Sequence, residues 1–272
     1  MALEKILIAV KTYPSLSRKY DELVCTAGFR ENGEWIRIYP IPFRKLDFEQ
    51  RYPKFAWIEA DIIKNESDPR PESYRVADSH KIKVIGEIKS DGGSWNARRD
   101  FALKHVHTNM QSLIVAANTK NELSLATFKP TKMHGFITKE EKSKTWKPEK
   151  IAEIEARALQ TDLFGGEASP FITVDKLPYK FYYHFEDSEG THRKLMIEDW
   201  EIGMLYWNCL KKAEGNEVVA CEKVKQKYWD DFTKKDLHLF LGTTRRYHGW
   251  SKNPFVIVGV FPPKHKQPSL FN

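Results

Sequence analysis

Two apolar runs near the C-terminal end are the clearest secondary-structure signals in the chain. Residues 237–241 and 255–261 are rich in Leu, Ile, Val and Phe, and Gly or Pro residues bound each run. Runs of this length and composition predict buried β-strands. The segment between them, residues 243–250, is cationic, aromatic and interrupted by Gly249. Because a loop held by two rigid strands is well placed to grip a phosphate or a flat ring, this segment is the first candidate binding site.

Shorter apolar segments in the first half of the chain predict a β-rich module over residues 1–137. Its strongest local signal is Asn32-Gly33, which lies between two strand-like segments. Asn-Gly favours the positive φ angles of a type I′ turn, so a tight hairpin is predicted here. Ser94 precedes a helical pattern and is expected to cap it. The predicted elements are strands at 5–11, 22–29, 34–39, 55–63, 81–88 and 123–128 and a helix at 94–107.

The character of the sequence changes over residues 138–178, where a charge run, a short helical pattern and a glycine-containing stretch follow one another. We interpret this segment as a connector or an active-site loop, with the stretch at 163–170 as its mobile part. Residues 179–272 predict a mixed α/β module with a ββααββ order. The expected fold class is α+β, with the two modules packed together. The predicted elements are helices at 148–159, 200–212 (capped by Asp199) and 217–232 and strands at 179–185 and 192–197, followed by the two C-terminal strands.

The charge and the aromatic content narrow the class of partner. The chain has 44 Lys and Arg residues against 37 Asp and Glu residues, a formal charge of +7, and 13% of its residues are aromatic. A basic excess favours a polyanionic partner, and aromatic rings beyond those that fill the core can stack on bases. Nucleic acid, with DNA as the leading candidate, is the expected partner.

Cysteine use and hydropathy favour a cytoplasmic bacterial protein. Cys25, Cys209 and Cys221 are odd in number, far apart and without a CxxC pair, so reduced thiols are expected rather than disulfides or a cysteine-rich zinc site. No apolar stretch approaches the roughly 20 residues of a membrane helix, and no signal-peptide pattern is present. We expect no membrane association, and the sequence identifies no obligate protein partner.

Several common catalytic signatures are absent from the sequence. There is no Walker A loop, no GxGxxG and no GxSxG, so nucleotide hydrolysis, dinucleotide redox chemistry and serine-hydrolase chemistry have no support. Asp78, Glu87 and Lys89 superficially fit the pattern of a metal-dependent nuclease, but such a match arises readily by chance in a charged chain. We predict neither a cofactor nor a metal.

A second possible metal arrangement lies on a predicted hairpin in the C-terminal module. His184 and His192 fall on its facing strands and could approach each other. With Glu186 or Asp187 they could bind zinc, but two histidines without thiolates make a poor structural site. Ordinary surface residues are therefore the favoured interpretation.

Three basic-aromatic clusters are candidates for contact with nucleic acid. Alternation along the strand at 34–39 places Trp35, Arg37 and Tyr39 on one face. The second cluster lies at the start of the predicted helix after Ser94. The third lies in the loop between the two C-terminal strands. Arginine binds phosphate bidentately and stacks on rings, and a helix N-terminus attracts anions. The predicted nucleic-acid-binding residues are Arg37, Arg44, Arg98, Arg99, Arg245, Arg246, Tyr247, His248 and Trp250, the last three lining or gating a base pocket.

Two carboxylates are candidates for metal-independent hydrolysis of an N-glycosidic bond. This reaction needs an acid that stabilises an oxocarbenium-like sugar and a pocket that stacks on an extruded base. Asp236 precedes the strand that leads into the arginine loop, and Asp199 stands beside Trp200. A strand-edge position and an N-cap also account for them. The leading hypothesis is a base-excising DNA glycosylase; the alternatives are a non-enzymatic module that recognises modified nucleic acid, a metal-dependent nuclease and a nucleotide sensor.

Three segments, residues 35–44, 196–202 and 239–243, resemble an uncharacterised group of bacterial proteins associated with anti-phage gene clusters. The resemblance spans both predicted modules and implies a role in bacterial defence, with no activity to transfer. It also implies that any metal on the hairpin is lost here. In that group the hairpin carries cysteines, where this chain has Glu186, Asp187 and Glu189.

Overall fold

The computed structural model describes residues 2–17, 21–163 and 173–266, which form two seven-stranded β-sheets with helices. The predicted α+β class is confirmed. No helix in these ranges is long and apolar enough to cross a membrane.

The first sheet contains β1 (Ala2–Lys11), β2 (Ser15–Ser17), β3 (Asp21–Arg30), β4 (Trp35–Ile41), β5 (Ala56–Lys64), β6 (Ser73–Val76) and β7 (Lys83–Glu87). The second contains β8 (Val106–His107), β9 (Leu125–Phe128), β10 (Lys132–Glu140), β11 (Tyr179–Glu186), β12 (His192–Ile197), β13 (His238–Thr243) and β14 (Phe255–Phe261). The helices are α1 (Asn96–Ala102), α2 (Met110–Asn118), α3 (Pro148–Leu163), α4 (Trp200–Lys212) and α5 (Glu217–Lys225), with a π-helical turn at Gln226–Asp231 and 3₁₀ turns at Phe43–Lys45, Phe48–Gln50, Ser79–Lys81, Asp91–Gly93 and Phe232–Lys234.

Five strands of the first sheet close on themselves into a barrel. They pair in the order β1-β3-β4-β6-β5, and β5 returns to β1; the β4–β6 pair is parallel and the others are antiparallel. When only these five strands are numbered along the chain, their order around the barrel is 1-2-3-5-4-1. This is the strand order of the OB-fold Greek-key barrel. Strand β5 alternates buried and partly exposed residues, because successive side chains point to opposite sides of the barrel wall. The N-terminal module is therefore a β-barrel.

The predicted hairpin at Asn32-Gly33 is present, but its turn is of another type. Within the turn only Gly33 has a positive φ, +83°, and its N–H donates to the Arg30 carbonyl at 2.9 Å. A type I′ turn needs positive φ at both central residues, whereas one turn followed by a left-handed glycine makes a three-residue hairpin loop. The hairpin is confirmed and the type I′ assignment is wrong.

Other predicted elements in the first half of the chain differ from the structure. Helix α1 begins at Asn96, after Trp95 in a left-handed conformation with φ of +57°. Ser94 does not cap it; the Ser94 hydroxyl instead donates to the Asp91 carbonyl at 2.8 Å. Strand β4 runs to Ile41, beyond its predicted end. Strand β6 and helix α2 were not predicted; the four residues of β6 are too few to show a period.

The second sheet has the strand order β10-β11-β12-β14-β13-β9-β8. Strands β13 and β14 are the two apolar runs, and Asp199 caps α4 as predicted, accepting from the Glu201 backbone N–H at 3.1 Å. Strands β8 to β10 come from residues 106–140, so this sheet also draws on part of the predicted β-rich module. Helix α5 ends earlier than predicted and continues as the π-helical turn. Residues 164–172 of the predicted connector, including nearly all of its predicted mobile part, lie outside the described residues.

The barrel packs against the second sheet through a layer of aromatic and aliphatic side chains. Trp35 on β4 meets Phe240 on β13 with ring centroids 5.3 Å apart, and Phe29 meets Phe240 at 6.1 Å. Full burial of one such side chain contributes about 1.5–3 kcal/mol to folding. This layer joins the two modules, and a cavity within their junction holds the candidate site.

Candidate functional site

The alternation predicted along β4 is confirmed, and the face that carries Trp35, Arg37 and Tyr39 is turned toward the second sheet. Ile36 and Ile38, on the other face, belong to the core of the barrel. Arg37 is only 1% exposed. A guanidinium at this depth is uncommon, because its charge needs compensation by hydrogen bonds or by an anion.

Arg37 is only partly compensated by the protein. Its Nη1 donates to Ser124 Oγ at 2.5 Å and its Nη2 to the Ser124 carbonyl at 3.1 Å. The Ser124 hydroxyl in turn donates to Glu72 Oε2 at 2.6 Å. The Nε atom of Arg37 is buried and has no hydrogen-bond partner among the described residues. Burial lowers the pKa of Arg37, and the charge of Arg70 acts in the same direction.

Arg37 lines a cavity of about 210 Å³ at the junction of the two modules, which we call the arginine pocket. Three guanidinium groups, several hydroxyl groups and one carboxylate surround it, together with small apolar side chains. Thr244 contributes a second buried polar atom, Oγ1, that finds no partner in the described part of the chain. The polar side chains that line the pocket include Arg37, Tyr39, Arg70, Glu198, Thr244 and Arg245.

Arg70 is the pocket arginine with a carboxylate partner. Its guanidinium holds both oxygens of Asp68, at 2.9 and 2.6 Å, and its Nη1 donates to the Thr243 carbonyl at 2.8 Å. Burial acts to raise the pKa of Asp68, but the hydrogen bonds from Arg70 and Ser73 outweigh it and lower the pKa to about 2. Asp68 is therefore ionised at neutral pH and compensates Arg70.

The loop between β13 and β14, residues 244–254, lines one side of the pocket through its first two residues. Arg245 lines the pocket and donates to the Ser67 carbonyl at 2.5 Å. Tyr247 and Trp250 are 40% and 68% exposed, with ring centroids 5.5 Å apart. The Arg246 guanidinium lies 5.5 Å from the Tyr247 ring centroid. The loop thus presents a cationic and aromatic surface beside the pocket.

His248 belongs to the frame of this loop rather than to its exposed surface. Its side chain is buried and bonds to Thr243 Oγ1 at 3.0 Å and to Asn121 Oδ1 at 2.8 Å. Burial lowers the pKa of His248, and the charges of Arg70 and Arg37 lower it further. The neutral ring therefore ties the loop to the residues after α2. The described lining of the pocket includes neither His248 nor Tyr247 nor Trp250.

The remaining predicted arginines have partners within the fold and lie apart from the pocket. Arg44 pairs with Glu22 at 2.6 Å. Arg98 donates to the Ile88 carbonyl at 2.8 Å and stacks over Phe55, 4.4 Å from the ring centroid. Arg99 donates to Asp236 Oδ2 at 2.8 Å. The described lining of the pocket contains none of these three arginines.

Asp236, the first predicted catalytic acid, lies between two cations. Arg99 Nη1 is 2.8 Å from one carboxylate oxygen and Lys129 Nζ is 2.7 Å from the other. Burial acts to raise the pKa of Asp236, but the hydrogen bonds from Lys129 and Arg99 lower it to about 2. The side chain is an ionised partner of two bases at neutral pH, and it is outside the described lining of the arginine pocket.

Asp199, the second predicted acid, is fully buried. Lys54 Nζ contacts both of its oxygens, at 3.0 and 2.9 Å, and also reaches Glu201 at 3.0 Å. Burial raises the pKa of Asp199 to about 6 against the attraction of Lys54. Asp199 combines the N-cap of α4 with a buried ion pair, and the described pocket residues do not include it.

Glu198 is the carboxylate that does line the arginine pocket, and it was not predicted from the sequence. Burial raises the pKa of Glu198, with the charge of Lys180 opposing. Its place between β12 and the cap of α4 is visible in the sequence, but nothing local shows that it faces the barrel. Arg70 was missed for the same reason, because it lies in a proline-rich loop that meets the second sheet only in the folded chain.

The nuclease pattern does not assemble a metal site in the described residues. Asp78 caps a 3₁₀ turn by accepting from the His80 backbone N–H at 3.0 Å. Glu87 pairs with Lys89 at 2.7 Å. The group of three side chains that could hold a metal in the described part of the chain lies elsewhere, on strands β10, β11 and β12.

Two family models match the chain, one for each sheet. Residues 2–104 match a domain of unknown function (DUF8758), and residues 106–272 match another domain of unknown function (DUF8757). No curated protein matches the sequence. Among solved structures, a murine DNA-binding protein bound to double-stranded DNA is similar over 98% of this chain and 100% of that one, with 10% identity and a TM-score of 0.32. Since the second model spans more than half of the sequence, the chain belongs to the DUF8757 family, with a DUF8758 domain preceding it.

Proposed function

We propose that the protein binds nucleic acid, with DNA as the leading class, and that a phosphate of the ligand enters the arginine pocket. The observation that carries the proposal is the buried guanidinium of Arg37, which lines the pocket and keeps one N–H without a partner among the described residues. An anionic oxygen would compensate this charge, and arginine is suited to phosphate because its donors form a planar fork.

The charges around the pocket favour an anion. Asp68 compensates Arg70, whereas the hydrogen bonds described for Arg37 and Arg245 go to neutral oxygens, those of Ser124 and Ser67. Glu198 is the carboxylate in the pocket lining, and burial raises its pKa. The buried Arg37 therefore attracts an anion more strongly than a surface arginine would, and the exposed Arg245 adds a second positive charge at the pocket.

The exposed rings of the β13–β14 loop favour a nucleic acid over free phosphate. Trp250 and Tyr247 stand in solvent beside the pocket, where bases of a single strand can stack on them. Each such stacking contact contributes about 1–3 kcal/mol to binding. The barrel has the strand order of a fold that often binds oligonucleotides, but a fold alone assigns no function, so the proposal depends on the pocket and the loop.

Fluorescence anisotropy with labelled oligonucleotides tests the proposal. Single-stranded DNA, double-stranded DNA and single-stranded RNA are titrated with protein at several salt concentrations, with mononucleotides and inorganic phosphate as competitors. We expect Arg245→Ala to weaken binding and to reduce the slope of log K against log salt by about 0.7–0.9, the value for one lost phosphate contact. Arg75→Ala, which removes an exposed arginine on β6, is the matched control.

Equal affinity and equal salt slope in wild type and Arg245→Ala would refute the role of the pocket. Competition by mononucleotides at oligonucleotide-like affinity would instead favour the nucleotide-sensor alternative. The arginine pocket has a volume of about 210 Å³, enough for one phosphate or one base. Typical small-molecule sites are larger, at roughly 300–1,000 Å³.

A second candidate function is hydrolytic release of a base, and Glu198 favours it. A carboxylic acid with a raised pKa beside a cationic pocket is the type of group that can act as a general acid. Modified and unmodified phage DNA is incubated with protein without added metal, and strand breaks are measured before and after alkali. We expect alkali-dependent breaks that Glu198→Gln abolishes. If Asp236→Asn or Asp199→Asn abolished the breaks instead, the catalytic acid would be one of the two predicted from the sequence.

A role in defence against phage is the biological setting that the sequence resemblance supports. Bacteria that express the wild-type protein are expected to plate phage less efficiently than bacteria that express Arg245→Ala, because the variant lacks a pocket cation. Equal plating efficiency on both strains would indicate that nucleic-acid binding through the pocket is not required for defence.

A further inference from the structure

Three strands of the second sheet bring histidine and glutamate side chains together on the face opposite the core. On β11, His184 and Glu186 alternate with the buried Phe185, so both point away from the core. On β12, His192 pairs directly with Glu186 and therefore shares its face. The hairpin thus supplies two imidazoles and one carboxylate, as the spacing in the sequence indicated.

The third imidazole comes from an irregularity in the edge strand β10. The register between β10 and β11 shifts between Met133 and Gly135, which leaves His134 as the extra residue of a β-bulge. Bulges re-aim side chains that regular pairing would point elsewhere. His134 joins the hairpin cluster, with its Nε2 atom 3.0 Å from Glu186 Oε2. No sequence spacing shows this, because His134 and Glu186 are separated by 52 positions.

Three of these four side chains are close enough to share one ion. Ligand atoms of His134, Glu186 and His192 all lie within 4.8 Å of one another. The rings of His134 and His192 have centroids 4.5 Å apart, and His184 Nε2 lies 3.2 Å from His192 Nδ1. In a tetrahedral zinc site with bonds of about 2.1 Å, ligand atoms lie about 3.4 Å apart, so the 3.0 Å separation of His134 Nε2 and Glu186 Oε2 is near the required spacing.

We propose that His134, Glu186 and His192 bind a divalent transition metal, with Zn²⁺ as the leading candidate, and that His184 orients His192 from outside the ligand set. Imidazole and carboxylate ligands suit zinc and its neighbours in the first transition row, whereas Mg²⁺ and Ca²⁺ prefer sets of oxygen atoms. Groups that hydrogen-bond to a metal-bound histidine hold its ring in place. This site departs from the sequence prediction that no metal is bound.

Neighbouring acidic residues are engaged elsewhere, which assigns the carboxylate ligand to Glu186. Asp187 is buried and accepts from the backbone N–H groups of Glu189 and Thr191 and from Arg193. Glu189 accepts from Asn109 at 3.0 Å. A metal at the proposed position would cross-link β10, β11 and β12 at the free edge of the sheet, and it would therefore raise the thermal stability of the chain.

Zinc binding by the full chain tests the site. Protein freed of metal with EDTA is titrated with Zn²⁺ in a calorimeter, and its Tm is measured with Zn²⁺ and with Mg²⁺. We expect one Zn²⁺ per chain, a rise in Tm with Zn²⁺ and none with Mg²⁺. His134→Ala, Glu186→Gln and His192→Ala should each weaken Zn²⁺ binding by at least about tenfold, and His184→Ala by about 10- to 100-fold.

His80→Ala is the matched control, because His80 is exposed and lies in a 3₁₀ turn of the first sheet. It should bind Zn²⁺ like wild type. Glu186→Gln keeps the size of the side chain, so it tests the site even if His134→Ala fails to fold, with circular dichroism as the check on folding. Absence of stoichiometric Zn²⁺ in wild type, or wild-type affinity in Glu186→Gln, would overturn the proposal.

Discussion

Arg37 and Ser124 join the barrel to the second sheet through two hydrogen bonds. Arg37 Nη1 donates to Ser124 Oγ at 2.5 Å and Nη2 to the Ser124 carbonyl at 3.1 Å, and both residues are buried. Ser124 immediately precedes β9, so the contact links a barrel strand to a strand of the other sheet. The same guanidinium lines the arginine pocket, which means that one residue serves both the packing of the modules and the candidate site.

Replacement of Arg37 is expected to lower stability. Arg37→Met removes both bonds and leaves the Ser124 carbonyl without this donor, so we expect a loss of about 2–4 kcal/mol in the free energy of unfolding. Arg37→Lys keeps the charge but not the planar fork and should recover only part of the loss. Urea unfolding measures both variants. A loss below about 0.5 kcal/mol for Arg37→Met would show that the contact contributes little.

The buried pair of Lys54 and Asp199 gives a second prediction. Lys54→Met leaves the Asp199 carboxylate buried and unpaired, which should cost about 3–5 kcal/mol. Asp199→Asn keeps an oxygen that can cap α4 and removes the charge. In the double variant the second substitution should therefore restore part of the stability lost in Lys54→Met. A double-mutant cycle by chemical denaturation measures this coupling, and strict additivity would contradict it.

Acid unfolding should depend on Asp236. Its pKa of about 2 in the folded chain lies below the ordinary value of 3.8, so the ionised form favours folding. That contribution is present above about pH 4 and is lost as the pH falls from 4 toward 2. Asp236→Asn should therefore unfold with a weaker pH dependence in this window. Thermal melts at a series of pH values measure it, and identical slopes in wild type and variant would exclude the effect.

Close packing around Gly28 should forbid a larger residue. A Cβ atom there would lie 2.0 Å from the Leu7 backbone oxygen on the neighbouring strand, and backbone cannot move aside cheaply. Gly28→Ala is expected to destabilise the barrel by about 2–4 kcal/mol. Gly86→Ala is the control, because a Cβ at Gly86 meets no described atom within 4 Å and should change stability by less than about 1 kcal/mol. Equal losses for the two variants would refute the argument.

Substitution of Trp250 should distinguish an effect on DNA binding from an effect on folding stability. Its side chain is 68% exposed, so Trp250→Ala should change the free energy of unfolding by less than about 0.5 kcal/mol. If the β13–β14 loop stacks on bases, the same variant should weaken binding of single-stranded DNA by about 1–3 kcal/mol. Anisotropy titration and urea unfolding of the same preparation measure both quantities. Unchanged DNA affinity would remove Trp250 from the interface.

Local patterns in the sequence predicted the elements whose signals lie within one segment. The apolar runs became β13 and β14, and the Asp199 cap and the helical spacing after it became α4, because strand length, caps and periodicity act over a few residues. The alternation on β4 was also correct, since neighbouring side chains on a strand must point to opposite faces. The type I′ turn and the long first helix were wrong, because such details respond to the packing around them.

Tertiary structure decided which predicted groups meet. Arg37, Arg70 and Arg245 line one pocket only because the barrel packs on the second sheet, and the contact from Arg70 to Thr243 spans 173 positions. Arg98 donates to the Ile88 carbonyl and Arg99 to Asp236. Glu198 lines the arginine pocket and His134 joins the histidine cluster, and no local pattern describes either position. The sequence by itself determined the two C-terminal strands, the Asp199 cap of α4 and the two-faced strand β4. Whether a face meets water, a partner sheet or a ligand depends on contacts between distant segments, which only the folded chain provides.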